Sequence, residues 1–186
     1  MIQGKMRTVY VITMGGTIEK VYSEQEGAVL NSTSKVERYL NQLRLPDCEV
    51  QVIPLMNKDS LEMTVQDRRL LASQLTSLLP DGHPVVIIHG TDTMAETGRY
   101  IQKLFEHHMK VPVVLTGAMT PLGFEGSDGL QNITESLMAA RLLRPGVFIV
   151  FHGQIHRANR ARKDKKLGTF VKIGKTIEKR QKKQGQ

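Results

Sequence analysis

Threonine and aspartate side chains follow three apolar segments of the sequence, each at the point where the segment ends. Thr17 closes "MGGT", Thr91 and Asp92 stand in "HGTDT", and a third polar cluster lies in "LTGAMTP" at 115–121. A threonine hydroxyl becomes a useful nucleophile only when a base takes or shares its proton. Asp92 can accept hydrogen bonds or bind an ammonium group. Each cluster alone also fits an ordinary strand-to-loop turn, but three together favour a site.

The sequence also contains a candidate base and candidate donors to an oxyanion. A lysine that is desolvated or close to other cations can lose its proton near physiological pH, and Lys163 lies in the basic segment "NRARK". Backbone N–H groups associated with the glycines could hold an oxyanion, typically at about 3–4 kcal/mol per donor. Together these groups favour hydrolysis of an amide or ester on a small, amino-acid-like substrate.

Other kinds of site are disfavoured by motifs that the sequence lacks. It contains no GxxxxGK[ST] phosphate loop, no GxGxxG after a strand and no GxSxG elbow. Its histidines show no zinc-binding spacing with Cys or Glu, so we expect no metal. We interpret His89 as a hydrogen-bonding residue at a strand end, and His107 and His108 as solvated residues near a helix end.

The cysteine content and the length of the apolar runs indicate the cellular compartment of the protein. Cys48 is the single cysteine, which precludes an intrachain disulfide and fits a reducing compartment. The N-terminus lacks the pattern of a secretory signal, and no apolar run approaches the roughly 18 residues of a membrane span. We therefore expect a soluble, cytoplasmic protein with no membrane partner.

The net charge of +8 is concentrated at one end of the chain. Residues from His156 to Gln186 hold 12 Lys and Arg against 2 Asp and Glu, a net of +10, whereas the preceding residues have a net of −2. We interpret 1–168 as an α/β catalytic domain and 169–186 as a solvated basic tail. No aromatic residue near the tail's end is available to stack on bases, so nucleic acid is not favoured as a partner.

Apolar runs alternate with amphipathic stretches along the chain. Strands are predicted at 9–12, 48–55, 83–90, 110–117 and 146–153, helices at 32–43, 64–79, 93–106 and 127–143, and a loop at 19–31. Thr64 can cap the second helix, and its apolar stripe is formed by Leu70, Leu71, Leu75 and Leu78. This alternation implies right-handed βαβ units. We therefore expect a three-layer α/β fold, with an open, mostly parallel sheet, helices on both faces and the polar clusters along one edge.

Three segments of the chain resemble the bacterial-type asparaginase/glutaminase family. They are "MGGTIEK", "HGTDTMAET" and "LTGAMTPLGFEGSDGLQN", in the family's order and on the expected strands, and the resemblance spans 9–163. It implies a flavodoxin-like N-terminal asparaginase domain. It also implies that Thr17 is the primary nucleophile and that Thr91, Asp92 and Lys163 form a second catalytic group. Asp92 would in addition bind the substrate's α-ammonium.

The same resemblance implies further site residues. Ser60, in "KDSLEMT", is similar to the serine that holds the substrate's α-carboxylate, and Tyr22 to a catalytic loop tyrosine that hydrogen-bonds the first threonine. Gly16 and Gly90 are expected to lie against the bound substrate. Leu61 stands where many amino-acid-hydrolysing members have glutamine, which removes one expected hydrogen bond to the substrate.

The resemblance is to the short, single-domain members and stops where longer members begin a second, smaller domain. It implies an L-asparaginase with minor or no glutaminase activity, without a cofactor, which acts on L-asparagine as a homodimer or homotetramer. The residues leave open whether an acyl-enzyme forms or whether Thr91 and Lys163 activate water directly. They also leave open an amidohydrolase of another small amide, and a non-catalytic amino-acid-binding or RNA-associated module.

A few polar residues close to the motifs are interpreted as structural. Ser127 and Asp128 are expected to cap a helix and to tether the third cluster. Glu19 is interpreted as a loop charge.

Overall fold

A computed structural model describes the backbone of residues 6–23, 28–31 and 35–173, and the side chains of 6–20 and 35–173. Its strands are β1 (Arg7–Thr13), β2 (Lys20–Ser23), β3 (Ala28–Asn31), β4 (Cys48–Pro54), β5 (Val85–Ile88), β6 (Pro112–Thr116), β7 (Gly146–Phe151), β8 (Gln154–Arg157), β9 (Ala161–Asp164) and β10 (Thr169–Lys172). Its α-helices are α1 (Lys35–Leu40), α2 (Val65–Leu78), α3 (Met94–Phe105) and α4 (Gly129–Leu142). None of the helices that the structure describes is long and apolar enough to cross a membrane.

A six-stranded sheet forms the centre of the fold, in the order β4-β1-β5-β6-β7-β8. Neighbouring strands are parallel, except that β8 runs antiparallel to β7. The five parallel strands, counted along the chain, have the order 2-1-3-4-5 of flavodoxin-like folds. The expected open, mostly parallel sheet is therefore confirmed.

Helices cover both faces of this sheet, because alternate residues of a strand point in opposite directions. From β1, Tyr10 and Ile12 pack in a core with residues of α2 and α3, while Val9 and Val11 pack in a second core with residues of α1 and α4. β5 and β7 are buried along their whole length, as strands covered on both faces must be. The three-layer arrangement expected from the sequence is confirmed.

Helix α2 follows the prediction at its start but not along its stripe. Thr64 caps it in a capping box with Asp67, as expected. Leu70 is 50 % exposed, however, so its assignment to the apolar stripe was wrong. The buried face consists of Arg68, Leu71, Ala72, Leu75 and Leu78. This face follows the spacing i, i+3, i+4, i+7, which puts Arg68 inside and Leu70 on the solvent side.

Five strands of four residues each were not predicted: β2, β3, β8, β9 and β10. β2 and β3 form an antiparallel ribbon within the stretch 19–31 that was expected to be loop, and β9 pairs with β10 in a hairpin. Four-residue strands with polar side chains carry too little periodicity to be recognised. Phe170 of β10 is fully buried, with its ring centroid 5.2 Å from that of Phe151. The packed part of the chain therefore extends past residue 168, where we expected the basic tail to begin.

Replacing Phe170 tests whether the β9–β10 hairpin is part of the folded unit. We expect Phe170→Ala to lower the free energy of unfolding in urea by about 3–5 kcal/mol, because a fully buried aromatic ring leaves a cavity. Leu167→Ala, at an exposed position in the same hairpin, is the control and should change stability by less than about 0.5 kcal/mol. A Phe170→Ala protein as stable as the control would contradict the packing of this hairpin.

Candidate active site

The ends of β1 and β5 meet at the point where the strand order of the sheet reverses, which is where open α/β sheets bind ligands. The contact between the two ends is made by glycines. A Cβ on Gly16 would lie 2.5 Å from the Gly90 Cα, and a Cβ on Gly90 would lie 2.6 Å from the Ser60 Oγ. Gly16 also has a φ of 91°, which favours glycine. Three segments therefore touch here, and they carry Thr17, Thr91 and Ser60.

Thr17 begins a short 3₁₀ turn, Thr17–Glu19, with three residues between it and the end of β1. The turn closes with the Glu19 N–H donating to the Gly16 carbonyl at 3.2 Å, and the Leu122 N–H donates to the Ile18 carbonyl at 3.1 Å. The second bond joins the Thr17 turn to the loop after β6. The loop of the third sequence cluster thus supports the turn that presents the predicted nucleophile.

Lys163 joins two of the other predicted catalytic residues, Thr91 and Asp92. Its Nζ donates to the Thr91 Oγ1 at 2.7 Å and to the Asp92 Oδ1 at 2.9 Å. Its side chain is only 17 % exposed, and it comes from β9, whose register against β10 places Lys163 opposite the buried Phe170. A proton can pass directly between the amino group and the threonine hydroxyl at this distance. The structure thus brings Thr91, Asp92 and Lys163 together.

Ser60 lies on the other side of Gly90. It starts the 3₁₀ turn Ser60–Glu62 and is almost fully buried, and its carbonyl accepts a hydrogen bond from the Thr93 hydroxyl at 2.8 Å. This bond ties the Ser60 turn to the "HGTDT" loop. Ser60 is therefore held against the loop that carries Thr91 and Asp92.

An ion pair that the sequence analysis missed connects the Thr17 and Ser60 turns. The Lys20 Nζ lies 3.0 Å from the Asp59 Oδ2, and Asp59 also accepts the Leu61 N–H at 3.0 Å. The Leu61 N–H, then Lys20, and to a smaller extent the charge of Lys163 hold the pKa of Asp59 below its ordinary value. The signal available in the sequence was the "KDS" segment, in which an acidic residue directly precedes the predicted Ser60.

Glu19 is not the loop charge that we expected from the sequence. Its side chain is 3 % exposed. Burial raises its pKa to about 7, although a hydrogen bond from the Gly15 N–H acts in the opposite direction. A carboxyl that is close to half-protonated at neutral pH therefore lies two residues from Thr17.

Asp128 anchors the loop after β6, in agreement with its predicted role as a tether. Its carboxylate accepts the N–H groups of Met119 and Thr120 at 2.9–3.0 Å and contacts the His152 Nε2 at 2.8 Å. Burial acts to raise the pKa of Asp128, but these hydrogen bonds outweigh it and the pKa lies below its ordinary value. The Asp128 side chain makes no capping bond to α4. Instead, the Ser127 hydroxyl accepts the Gly129 N–H at 3.1 Å.

The remaining predicted residues lie as follows. His89 is fully buried and hydrogen-bonded through both ring nitrogens, and His107 and His108 are exposed. Tyr22 belongs to β2, but its side chain lies outside the described part of the structure, so its role stays a prediction. Within the described ranges, no group of three or more His, Cys, Asp and Glu residues could hold a metal ion.

Comparisons with known proteins place the chain among asparaginase-type sequences. A family model described as "Asparaginase, N-terminal" matches residues 8–175. The chain is 33 % identical to L-asparaginase 1 of Escherichia coli (strain K12) over 165 residues, which is 84 % of this chain and 47 % of that protein. It is 28 % identical over 191 residues to a glutamyl-tRNA(Gln) amidotransferase subunit of Methanosphaera stadtmanae, covering 92 % of this chain and 41 % of that protein.

A solved structure shows the same fold. The thermostable L-asparaginase from Thermococcus kodakarensis superimposes with a TM-score of 0.81 at 27 % identity, covering 91 % of this chain and 52 % of that one. The chain thus spans about half the length of the relatives that it matches.

The buried carboxyl of Glu19 gives a prediction for stability. Its pKa in the folded protein, about 7, lies above the ordinary value of 4.5, so between these two values the folded state binds more protons than the unfolded state. The free energy of unfolding should therefore fall as pH rises through this window, by about 3 kcal/mol in total. Glu19→Gln removes this dependence, so the stability of the variant relative to the parent should increase from pH 5 to pH 7.5 in urea titrations.

The control for this prediction is Glu62→Gln, at an exposed position in the Ser60 turn. Its stability relative to the parent should stay constant over the same pH range. A constant difference for Glu19→Gln as well would show that Glu19 is ionised and solvated in the folded protein.

Proposed function

The chain belongs to the asparaginase family, and on that premise we propose that it is an L-asparaginase, which hydrolyses the side-chain amide of L-asparagine to L-aspartate and ammonia. The observation that carries the proposal is the pair of hydrogen bonds from the Lys163 Nζ to the Thr91 Oγ1 and the Asp92 Oδ1. They link a hydroxyl, a carboxylate and a little-exposed amine at the ligand-binding edge of the sheet. Groups of these kinds can supply the nucleophile activation and proton transfer that hydrolysis of an amide bond requires.

Thr17 is the proposed nucleophile. Its Oγ1 forms a bond to the amide carbon, and backbone N–H groups at the glycine-containing strand ends stabilise the negative charge that develops on the carbonyl oxygen. The C–N bond then breaks, and the amide nitrogen takes up the proton lost by the Thr17 hydroxyl and leaves as ammonia. Water hydrolyses the resulting ester to release aspartate and restore Thr17.

Thr91 and Lys163 are the proposed acid–base pair. When the Lys163 amine is neutral it can accept the Thr91 hydroxyl proton across their 2.7 Å hydrogen bond, and Thr91 can in turn take a proton from Thr17 or from water. Asp92 holds the amine in place on its other side. Tyr22 is proposed to hydrogen-bond Thr17.

Substrate recognition is assigned to the polar groups around the glycine contact. Asp92, whose side chain is partly exposed, is proposed to bind the α-ammonium of asparagine, and Ser60 its α-carboxylate. Gly16 and Gly90 are proposed to lie against the substrate through their backbones, because Gly90 and Ser60 already fill the space beside their Cα atoms. These steps use only protein groups, so the proposal includes no cofactor, and we propose that the enzyme acts as a homodimer or homotetramer in the cytoplasm.

A second candidate function is hydrolysis of another small amide. It is favoured by the similarity to a glutamyl-tRNA(Gln) amidotransferase subunit, which shows that chains of this sequence type are not confined to L-asparaginases. The proposed L-asparaginase has minor or no activity on glutamine. A non-catalytic amino-acid-binding module is the alternative outside enzymes.

Ammonia release separates these functions. The purified protein is incubated with L-asparagine, L-glutamine and other small amides, and ammonia and the acid product are measured together. We expect equal amounts of ammonia and aspartate from asparagine and little from glutamine. Faster turnover of another amide would favour the second candidate, and binding of asparagine without turnover would contradict the enzyme.

Replacing the two threonines tests their proposed roles. We expect Thr17→Ala and Thr91→Val each to lower kcat on asparagine at least ~100-fold, because one removes the nucleophile and the other the group that exchanges protons with Lys163. Thr134→Ala, at an exposed position on α4, is the control and should keep the parent kcat. Near-normal turnover by both active-site variants, with the fold intact by circular dichroism, would rule out this mechanism.

Lys163 is tested against a lysine of the same hairpin. Lys163→Ala should lower kcat at least ~100-fold through loss of the proposed base, whereas Lys166→Ala, at an exposed turn position, should leave it unchanged. Steady-state kinetics on both variants measure the difference. Equal kcat values for the two variants would mean that Lys163 contributes only its positive charge and does not act as the base.

A further inference from the structure

A buried arginine and a buried histidine lie beside the proposed site and take no part in the mechanism above. Arg68 of α2 is 5 % exposed, and His89, at the end of β5, is completely buried, as is Thr97 of α3. An arginine is rarely buried unless its donors are matched. The hydrogen-bond partners of these buried side chains therefore indicate their role.

The three side chains form one continuous chain of hydrogen bonds. The Arg68 Nε–H donates to the Thr97 Oγ1 at 3.2 Å, and the same Oγ1 lies 2.9 Å from the His89 Nε2. The other ring nitrogen of His89, Nδ1, lies 2.7 Å from the Gly90 carbonyl oxygen. The chain ends at the residue that precedes Thr91.

For a neutral His89 ring, the donors and acceptors of this chain can be assigned in a single way. Guanidinium nitrogens only donate and a carbonyl oxygen only accepts, so both ends are fixed. Thr97 must accept from Arg68 and donate its own proton to the His89 Nε2. His89 is then the neutral tautomer with its proton on Nδ1, which donates to the Gly90 carbonyl.

The surroundings of His89 also disfavour a charged ring. Complete burial lowers its pKa to about 4, and the charge of Arg68 adds to the effect, while the Gly90 carbonyl opposes it. Glu96, which pairs with Arg68 at 3.2 Å, lies on the solvent side of the guanidinium. The neutral tautomer is therefore maintained at neutral pH.

Fixing the Gly90 carbonyl fixes the following peptide. The peptide unit is planar, so the direction of the Gly90 C=O sets the direction of the Thr91 N–H and the start of the Thr91 residue. Arg68 also donates to the carbonyls of Met63 and Thr64, each at 3.3 Å, just after the Ser60 turn. One guanidinium thus bonds the end of the Ser60 turn directly and, through Thr97, the His89 side chain.

We propose that Arg68 is a positioning residue, which acts through Thr97 and His89 to hold the Gly90–Thr91 peptide in the orientation that aims the Thr91 hydroxyl at Lys163. The effect on turnover rests on the proposed function, whereas the hydrogen-bond chain itself does not. Arg68 touches neither the substrate nor Lys163 in this account. It lowers the cost of reaching the reactive geometry by removing alternative orientations of the peptide.

The first test observes His89 directly. Nitrogen-15 NMR of the intact protein at pH 7 should show a neutral ring protonated on Nδ1. In Arg68→Met, which fills the same space without donors or charge, the pKa of His89 should rise, whereas Arg69→Met, at the exposed neighbouring position, should leave it unchanged. A parent protein with the His89 proton on Nε2, or with a charged ring at pH 7, would overturn the proposal whatever its activity.

The second test measures the consequence for turnover. Thr97→Val keeps the shape of the side chain but removes its hydrogen bonds to both Arg68 and His89. We expect kcat on asparagine to fall about tenfold, with KM changed less than about twofold. Thr97→Ser restores the hydroxyl and should restore kcat. Equal kcat for the valine and serine variants in an active enzyme would overturn the positioning role. If the parent protein hydrolyses no amide, the proposed function is refuted. The hydrogen-bond chain is then tested by the NMR measurement alone.

Discussion

The close approach of Gly16, Gly90 and Ser60 is the constraint on which the rest of the site depends. No side chain fits between the ends of β1 and β5, because a Cβ on either glycine would overlap the backbone or side chain of the next segment. Contact at this distance brings the Thr17 turn, the Ser60 turn and the Thr91–Asp92 loop to one place at the edge of the sheet. The Thr93–Ser60 hydrogen bond holds two of these segments together, and the bond between Leu122 and Ile18 supports the third from the loop after β6.

Charge around this contact is arranged in two pairs. Lys163 pairs with Asp92 on the side of the "HGTDT" loop, and Lys20 pairs with Asp59 on the side of the Ser60 turn. A free amino acid carries one ammonium and one carboxylate, so a site with both signs of charge suits such a molecule better than a polyanion. Lys163 is one of the 12 basic residues that the sequence holds from His156 onward.

Much of the fold, and the clustering of polar residues at one edge of the sheet, could be predicted from the sequence because the signals are local. β5 and β7 are buried on both faces and read as continuous apolar runs, and the three polar clusters follow strands directly. Lys163 could be assigned only through the family resemblance, since a hairpin of four-residue strands brings it 72 positions back to Thr91. Glu19 and Lys20 were not recognised, because burial and ion pairing depend on segments that meet only in the folded chain. Arg68 did leave a signal, since it shares the spacing of Leu71, Ala72 and Leu75, but a charged residue in that pattern is ordinarily assigned to solvent.

The most direct test of the account is a crystal structure of the protein with the proposed product, L-aspartate, bound. We expect the α-ammonium of the aspartate against Asp92, its α-carboxylate against Ser60, and its side-chain carboxylate within van der Waals contact of the Thr17 hydroxyl, with the Thr91–Lys163 hydrogen bond retained. Aspartate bound elsewhere, or bound with its side chain turned away from Thr17, would contradict the assignment of this edge of the sheet as the site of amide hydrolysis.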